Sequence, residues 1–205
     1  YIDPELLEAF TKETGVQVQY ETFDSNESMY TKIKQGGTTY DIAIPSEYMI
    51  AKMMKEKLVE KLDHSQIKGM ENIGSEFLNQ PFDPGNQYSV PYFWGTLGIV
   101  YNEKLISKAP EHWDDLRKPE YKNSIMLIDG AREVMGIGLN SRGYGLNDKN
   151  ANHLQEAVDK LYKLTPNIKA IVADEMQGDM MQNNAAIGVT FSGEARQMLE
   201  KNENL

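Results

Sequence analysis

The sequence contains no cysteine, which excludes disulfides, thiolate metal sites and a cysteine nucleophile within it. His64, His112 and His153 are its three histidines, scattered without partners at metal-ligand spacing. Neither a glycine-rich phosphate loop nor a Gly-x-Ser-x-Gly elbow is present. No apolar run reaches the roughly eighteen residues that a membrane-spanning helix needs. Basic side chains are also the minority, 21 against 31 acidic ones, for a net charge of −10. Such a surface repels a phosphate backbone and an anionic bilayer, so nucleic acid is not an expected partner, and it concentrates small cations. What remains is a globular composition, 40% hydrophobic and 25% charged over 205 residues, enough for one large core or two modest ones. The chain opens at Tyr1 without a charged segment leading into an apolar one, so any export signal is expected outside it.

Asp3-Pro4, then Leu6, Leu7 and Phe10, then Gly15 supply a cap, a first-turn proline, an apolar face and a glycine stop, the pattern of an amphipathic helix. Val16, Val18 and Tyr20 alternate as a strand. A second helix is predicted from about Asn26 to Gln35, ended by Gly36-Gly37. Tyr40 to Ile44 then reads as an apolar strand closed by Pro45, and Ser46 as the cap of a helix whose spacing runs from Ile50 through Leu58. Lys52, Lys55 and Lys57 read as its solvated face. The stretch from Asp63 to Gln87 is loop-rich, with Pro81 and Pro84. Tyr88 to Tyr92 and Gly98 to Tyr101 are predicted strands on either side of Phe93-Trp94-Gly95-Thr96, a candidate crossover. Further strands are expected at Ser124 to Ile128, Ile168 to Val172 and Ala186 to Phe191. Helices are expected from Glu133 to Asn140, around Leu154, Val158 and Leu161, and from about Gly193 to Glu200. Strands with helices between them in each half make an α/β layered fold. Asp174, Glu175 and Asp179 read as solvated surface, with a hard cation as the other reading.

In open α/β sheets, ligands sit beyond the carboxyl ends of the strands. Three such ends carry polar or aromatic residues: Pro45-Ser46-Glu47-Tyr48, Asp129-Gly130-Ala131-Arg132-Glu133 and Phe191-Ser192-Gly193. Pro45-Ser46-x-Tyr48, Pro91-Tyr92-x-Trp94-Gly95-Thr96 and Asp129-x-Ala131-Arg132-Glu133-Val134 together resemble the bacterial spermidine/putrescine-binding proteins of ABC importers. So do Tyr1-Ile2-x-Pro4-x-Leu6-Leu7, the run from Phe10 to Gly15, Asn26-Glu27-x-Met29-Tyr30 and Asn79-x-Pro81-Phe82-Asp83-Pro84, and the resemblance covers essentially the whole chain.

That resemblance implies a two-lobed α/β fold of the periplasmic-binding-protein-like type II, incomplete at both ends in this chain. Residues 1–95 would form the first part of lobe one, lacking its first strand, 96–99 the crossover, and 100–205 most of lobe two. It further implies an extracytoplasmic protein, in the periplasm or lipid-anchored on the outer face of the membrane. Such a protein takes a polyamine into the interlobe cleft and passes it to the membrane permease subunits of an ABC importer. It does so as a monomer, without cofactor and without catalysis.

A polyamine is an apolar methylene chain bearing ammonium groups, so its site needs carboxylates and aromatic faces. A cation over a ring gains roughly 0.5–2 kcal/mol, and a hydrogen bond involving a charged group roughly 1.5–3 kcal/mol. By resemblance, Tyr1 falls on an aromatic that lines the cleft, Ser46 and Tyr48 on residues that accept hydrogen bonds from an ammonium, and Glu133 on a carboxylate that pairs with an amine. Phe191 stands where the family commonly has tryptophan, a smaller stacking surface. Gly130 stands where relatives can carry a second ligand-binding aspartate. Either Asp129 beside it reaches the amine instead, or the site draws on acidic residues elsewhere.

Each of these residues also has a plainer structural reading. Glu133 suits the first turn of a helix with or without a ligand, Ser46 is a good helix cap, Tyr1 is terminal, and Phe191 suits a core. Trp94 is expected to pack the crossover and stays outside the site. Helix N-termini attract anions, so the same turns would suit a receptor for an amino acid, a metal-anion or a sugar. Asp129, Glu133, Tyr48 and Phe191 favour the cation, and Arg132 is the one base nearby. An enzyme on this fold is the third reading.

Overall fold

The computed structural model of the chain describes residues 2–173 and 175–205. Helix α1 (Pro4–Thr14) starts where the Asp3 side chain accepts the Glu5 N–H and stops where Gly15 turns left-handed at φ 76°. Helix α2 (Asn26–Gln35) is framed by a reciprocal Ser25–Ser28 capping box and by Gly36 at φ 70°. Helix α3 (Glu47–Lys55) begins earlier than its apolar spacing suggests, directly after Ser46, yet the Ser46 hydroxyl does not cap it. Its lysine face is more than solvated: Lys52 and Lys34 each pair with Glu56 at 2.8 Å, and Lys52 lies 4.5 Å from the Tyr30 ring centroid. These partners hold the Glu56 carboxyl down to about 2.

Three expected strands are not strands. Residues 16–20 and 40–44 run without a ladder, and Val16, Val18, Tyr20, Ile42 and Ile44 are all exposed. Alternation describes a half-buried face, but a strand also needs a neighbour to accept its N–H groups. Instead Glu21 accepts hydrogen bonds from both Tyr40 Oη and Lys32 Nζ at 2.7 Å, joining the two segments through side chains. Over residues 88–92 the competitor is Asp83, 1% exposed. Its carboxylate accepts the N–H groups of Gln87, Tyr88 and Ser89 at 2.8–3.0 Å and the Ser89 hydroxyl at 2.7 Å. Backbone donors consumed by a loop cannot enter a sheet.

The sheet lies wholly after residue 96 among the described residues. Strands β1 (Leu97–Tyr101), β2 (Ile125–Ile128), β3 (Ile168–Val172) and β4 (Ile187–Phe191) stand in the order β1-β4-β2-β3, with β1 antiparallel to β4 and the other pairs parallel. Side chains alternate across it. Ile125, Leu127, Ile187 and Val189 face Ile137 of helix α4 (Ala131–Asn140) and Leu164 of helix α5 (Ala151–Leu164). On the other face Met126 and Val100 meet Met176 and Met180 of helix α6 (Glu175–Met181) and Met198 of helix α7 (Ser192–Lys201). Two helix layers thus cover a parallel-rich sheet buried on both sides. The short helix α6 was not expected. Its signal was the pair Met176 and Met180, four residues apart, obscured by Gly178 between them. Asp174 lies outside the described residues, while Glu175 and Asp179 bond to the Ala173 N–H and the Asn184 amide.

Helices α4 and α5 touch backbone to backbone at Gly138, where an added Cβ would lie 2.8 Å from the Ala157 carbonyl oxygen and 3.0 Å from its Cβ. Gly138→Ala would gain about 1 kcal/mol of helix propensity but overpack the contact at a cost of about 2 kcal/mol. The expected net result is a loss of about 1 kcal/mol in urea denaturation, and a gain would show that the helices separate freely.

Candidate functional site

Helices α2 and α3 pack through buried Met29, Met49 and Met53, with Tyr30, Ile33 and Tyr48 laid against them. Their first turns are thereby held side by side. Asn26 clamps Ser46 twice, its Oδ1 accepting the Ser46 N–H at 2.8 Å and its Nδ2 donating to the Ser46 hydroxyl at 3.1 Å. Next to this clamp, Tyr48 Oη donates to Glu27 Oε1 at 3.1 Å.

The first turn of α4 faces the same phenol. Strand β2 ends at Ile128, Asp129 gives its N–H to the Val172 carbonyl at 2.9 Å, and α4 begins directly after Gly130. The Arg132 guanidinium carbon stands 5.4 Å from the Tyr48 ring centroid, and its Nη2 donates to Asn147 Oδ1. Glu133 is half-buried. Burial raises its pKa from 4.5, and the charges of Glu27 and Glu47 raise it further, against the pull of its own backbone N–H and of Arg132. The Tyr48 phenol is likewise pushed up, first by burial and then by the charges of Glu27 and Glu133, so it stays a neutral donor. Carboxylates from two separate parts of the chain therefore converge on one phenol hydroxyl. A protonated amine suits that arrangement, because it brings the charge the carboxylates lack and N–H donors to satisfy them.

Of the residues expected from sequence, Ser46, Tyr48 and Glu133 come together. Phe191 ends β4 opposite Leu97 and makes no ring contact with Tyr48 among the described residues. Asp129 is exposed just beyond β2. Tyr1 lies outside the described residues. Trp94 does not pack a core at the crossover; it is 73% exposed and tilts against Phe77 at 5.7 Å between centroids. The space over Gly130 is taken by Glu133, whose Oε2 would collide with a Cβ there. Sequence reasoning missed Asn26 and Glu27. They stand in one of the motifs that carry the family resemblance, and the signal was Ser25, a cap that puts both into the first turn of α2.

A sheet flanked by helices on both faces, with polar groups gathered at helix starts, defines an α/β layered protein. The model of the bacterial extracellular solute-binding protein family matches residues 1–205, and the chain belongs to that family. Within it, the chain is 43% identical to the spermidine/putrescine-binding periplasmic protein of Salmonella typhimurium over 197 residues, which cover 95% of this chain and 57% of that protein. Among solved structures it is 78% identical, with a TM-score of 0.78, to the spermidine/putrescine ABC transporter substrate-binding protein PotD of Streptococcus pneumoniae, covering 100% of this chain and 63% of that one. A putative spermidine/putrescine ABC transporter protein of Listeria monocytogenes is 56% identical with a TM-score of 0.92, covering 100% of this chain and 63% of that one. The chain thus spans just over half the length of the curated relative. No helix among the described residues is long and apolar enough to cross a membrane.

Proposed function

We propose that the protein is the extracytoplasmic solute-binding component of an ABC importer, capturing spermidine or putrescine and delivering it to the membrane permease without altering it. Its place is the periplasm or, through a lipid anchor, the outer face of the cell membrane. Residues 1–95 and 100–205 belong to two lobes that meet at the ligand, with 96–99 crossing between them. Ser46, Tyr48 and Glu133 contact the amine directly, while Tyr1, Asp129 and Phe191 close around it.

One observation carries this reading: Tyr48 lies between the charges of Glu27 and Glu133, which come from opposite parts of the chain. An anionic solute placed there would meet Glu27, Glu47 and Glu133, against which Arg132 is the counter-charge that acts on Glu133. A polyamine meets the complementary charge of the three carboxylates, with Arg132 alone opposing it among the groups named.

Isothermal titration of the natural full-length protein with spermidine and putrescine should show saturable binding, and no heat at millimolar ligand would overturn the assignment. The affinity should also fall on acidification. An ammonium binds the ionised Glu133, whose pKa lies above 4.5, so protons begin to compete at a higher pH than for an ordinary glutamate. An affinity constant down to pH 4.5 would remove Glu133 from the contact.

A further inference from the structure

We propose that Arg132 is a built-in competitor for the ligand's ammonium, which must displace the guanidinium from the Tyr48 ring and so binds more weakly than it would to a free ring; this rests on the amine-binding reading above. The guanidinium already occupies the ring of Tyr48, 5.4 Å from its centroid. That aromatic face is the feature a cationic ligand needs. The arm is also easily moved. Among the described residues no carboxylate lies within ion-pairing distance of Arg132. Its other anchor is the neutral amide of Asn147, in the loop after α4, so it can leave the ring without breaking an ion pair.

A monoamine that reaches Tyr48 replaces one positive charge by another, and the electrostatic gain is small. A diamine of the same carbon length also displaces the guanidinium, but it brings a second ammonium to the carboxylates of Glu27, Glu47 and Glu133, whose fields already overlap at this site. The resident arm thus takes the same toll on both amines, and the second ammonium is what lets the diamine bind in spite of it.

The test compares butylamine with putrescine on the natural full-length protein and its Arg132→Gln variant, at fixed pH and ionic strength. If both amines must displace the arm, the variant should bind both more tightly by a similar factor, about threefold to tenfold. The gain should vanish in a Tyr48→Leu background, where there is no ring to contest. If Arg132 acts only by weakening the local negative field, a dication responds with twice the energy, and the factor for putrescine should be the square of that for butylamine. That outcome would overturn the displacement, as would unchanged affinities or a gain that persists without the ring. Failure of the wild-type protein to bind putrescine or spermidine would sink the amine-binding reading itself. Putrescine binding that is unaltered in the variant would remove only the competitor.

Discussion

Glu133→Gln is expected to weaken spermidine or putrescine binding by more than tenfold while leaving the protein at least as stable as before. The loss in affinity follows from replacing a charge-assisted bond, worth roughly 1.5–3 kcal/mol, by a neutral one, since a tenfold change is about 1.4 kcal/mol. Stability should move the other way because Glu133 is ionised in a place that disfavours its charge, through burial first and then through Glu27 and Glu47. A carboxyl that holds its proton more tightly when folded contributes fully below its unfolded pKa and loses that contribution as pH rises through the folded value. At neutral pH ionised Glu133 is therefore a net cost to the fold. Against this stands the helix-start interaction, about 0.3–1 kcal/mol, which glutamine forgoes. Calorimetry and thermal melts at neutral pH read both quantities on one pair of proteins. A lower melting temperature with unaltered affinity would reduce Glu133 to a helix-start residue.

Asp83→Ala should be the most damaging single truncation in the first half of the chain, lowering stability by about 3 kcal/mol. The carboxylate is buried and accepts four hydrogen bonds from the 87–89 segment, and alanine leaves all four donors without it. Two further bonds fasten the same loop back on the chain: the Leu62 N–H to the Gln87 carbonyl at 2.7 Å, and His64 Nε2 with the Asn86 carbonyl at 2.8 Å. Urea denaturation of the variant beside Asp83→Asn, which keeps one acceptor oxygen, gives the comparison. Equal stability of the aspartate and alanine forms would mean that the segment stands without its central acceptor.

The contrast between Asp83 and the helices shows what a sequence displays and what it hides. Helix ends are local, so the cap Asp3 and stop Gly15 of α1, and the Asn26 start and Gly36 stop of α2, are legible in the sequence within a residue or two. Strands depend on partners elsewhere. The segments 168–172 and 187–191 found neighbours in β2, whereas 16–20 and 40–44, with the same alternation, did not. Nothing in Tyr88-Ser89 announces that its N–H groups point at a carboxylate five or six residues upstream. The site divides along the same line. Ser46, Tyr48 and Glu133 were visible at the ends of apolar runs, but Glu27 gains its meaning from a phenol 21 positions away, and the Glu133 carboxylate's occupation of the space over Gly130 is a matter of rotamer.

A protein without a single thiol has placed its sulfur elsewhere. Met29, Met49 and Met53 form the floor beneath Tyr48, and Met126, Met176, Met180 and Met198 line one side of the sheet. Unbranched thioethers adjust their torsions at little energetic expense, so the helix pair carrying the phenol rests on a cushion that can accommodate small shifts of the ring. The same choice leaves an oxidative weakness. A sulfoxide formed at any of these atoms would be a strong dipole in an apolar floor, and the aromatic surface above it would tilt with the damage.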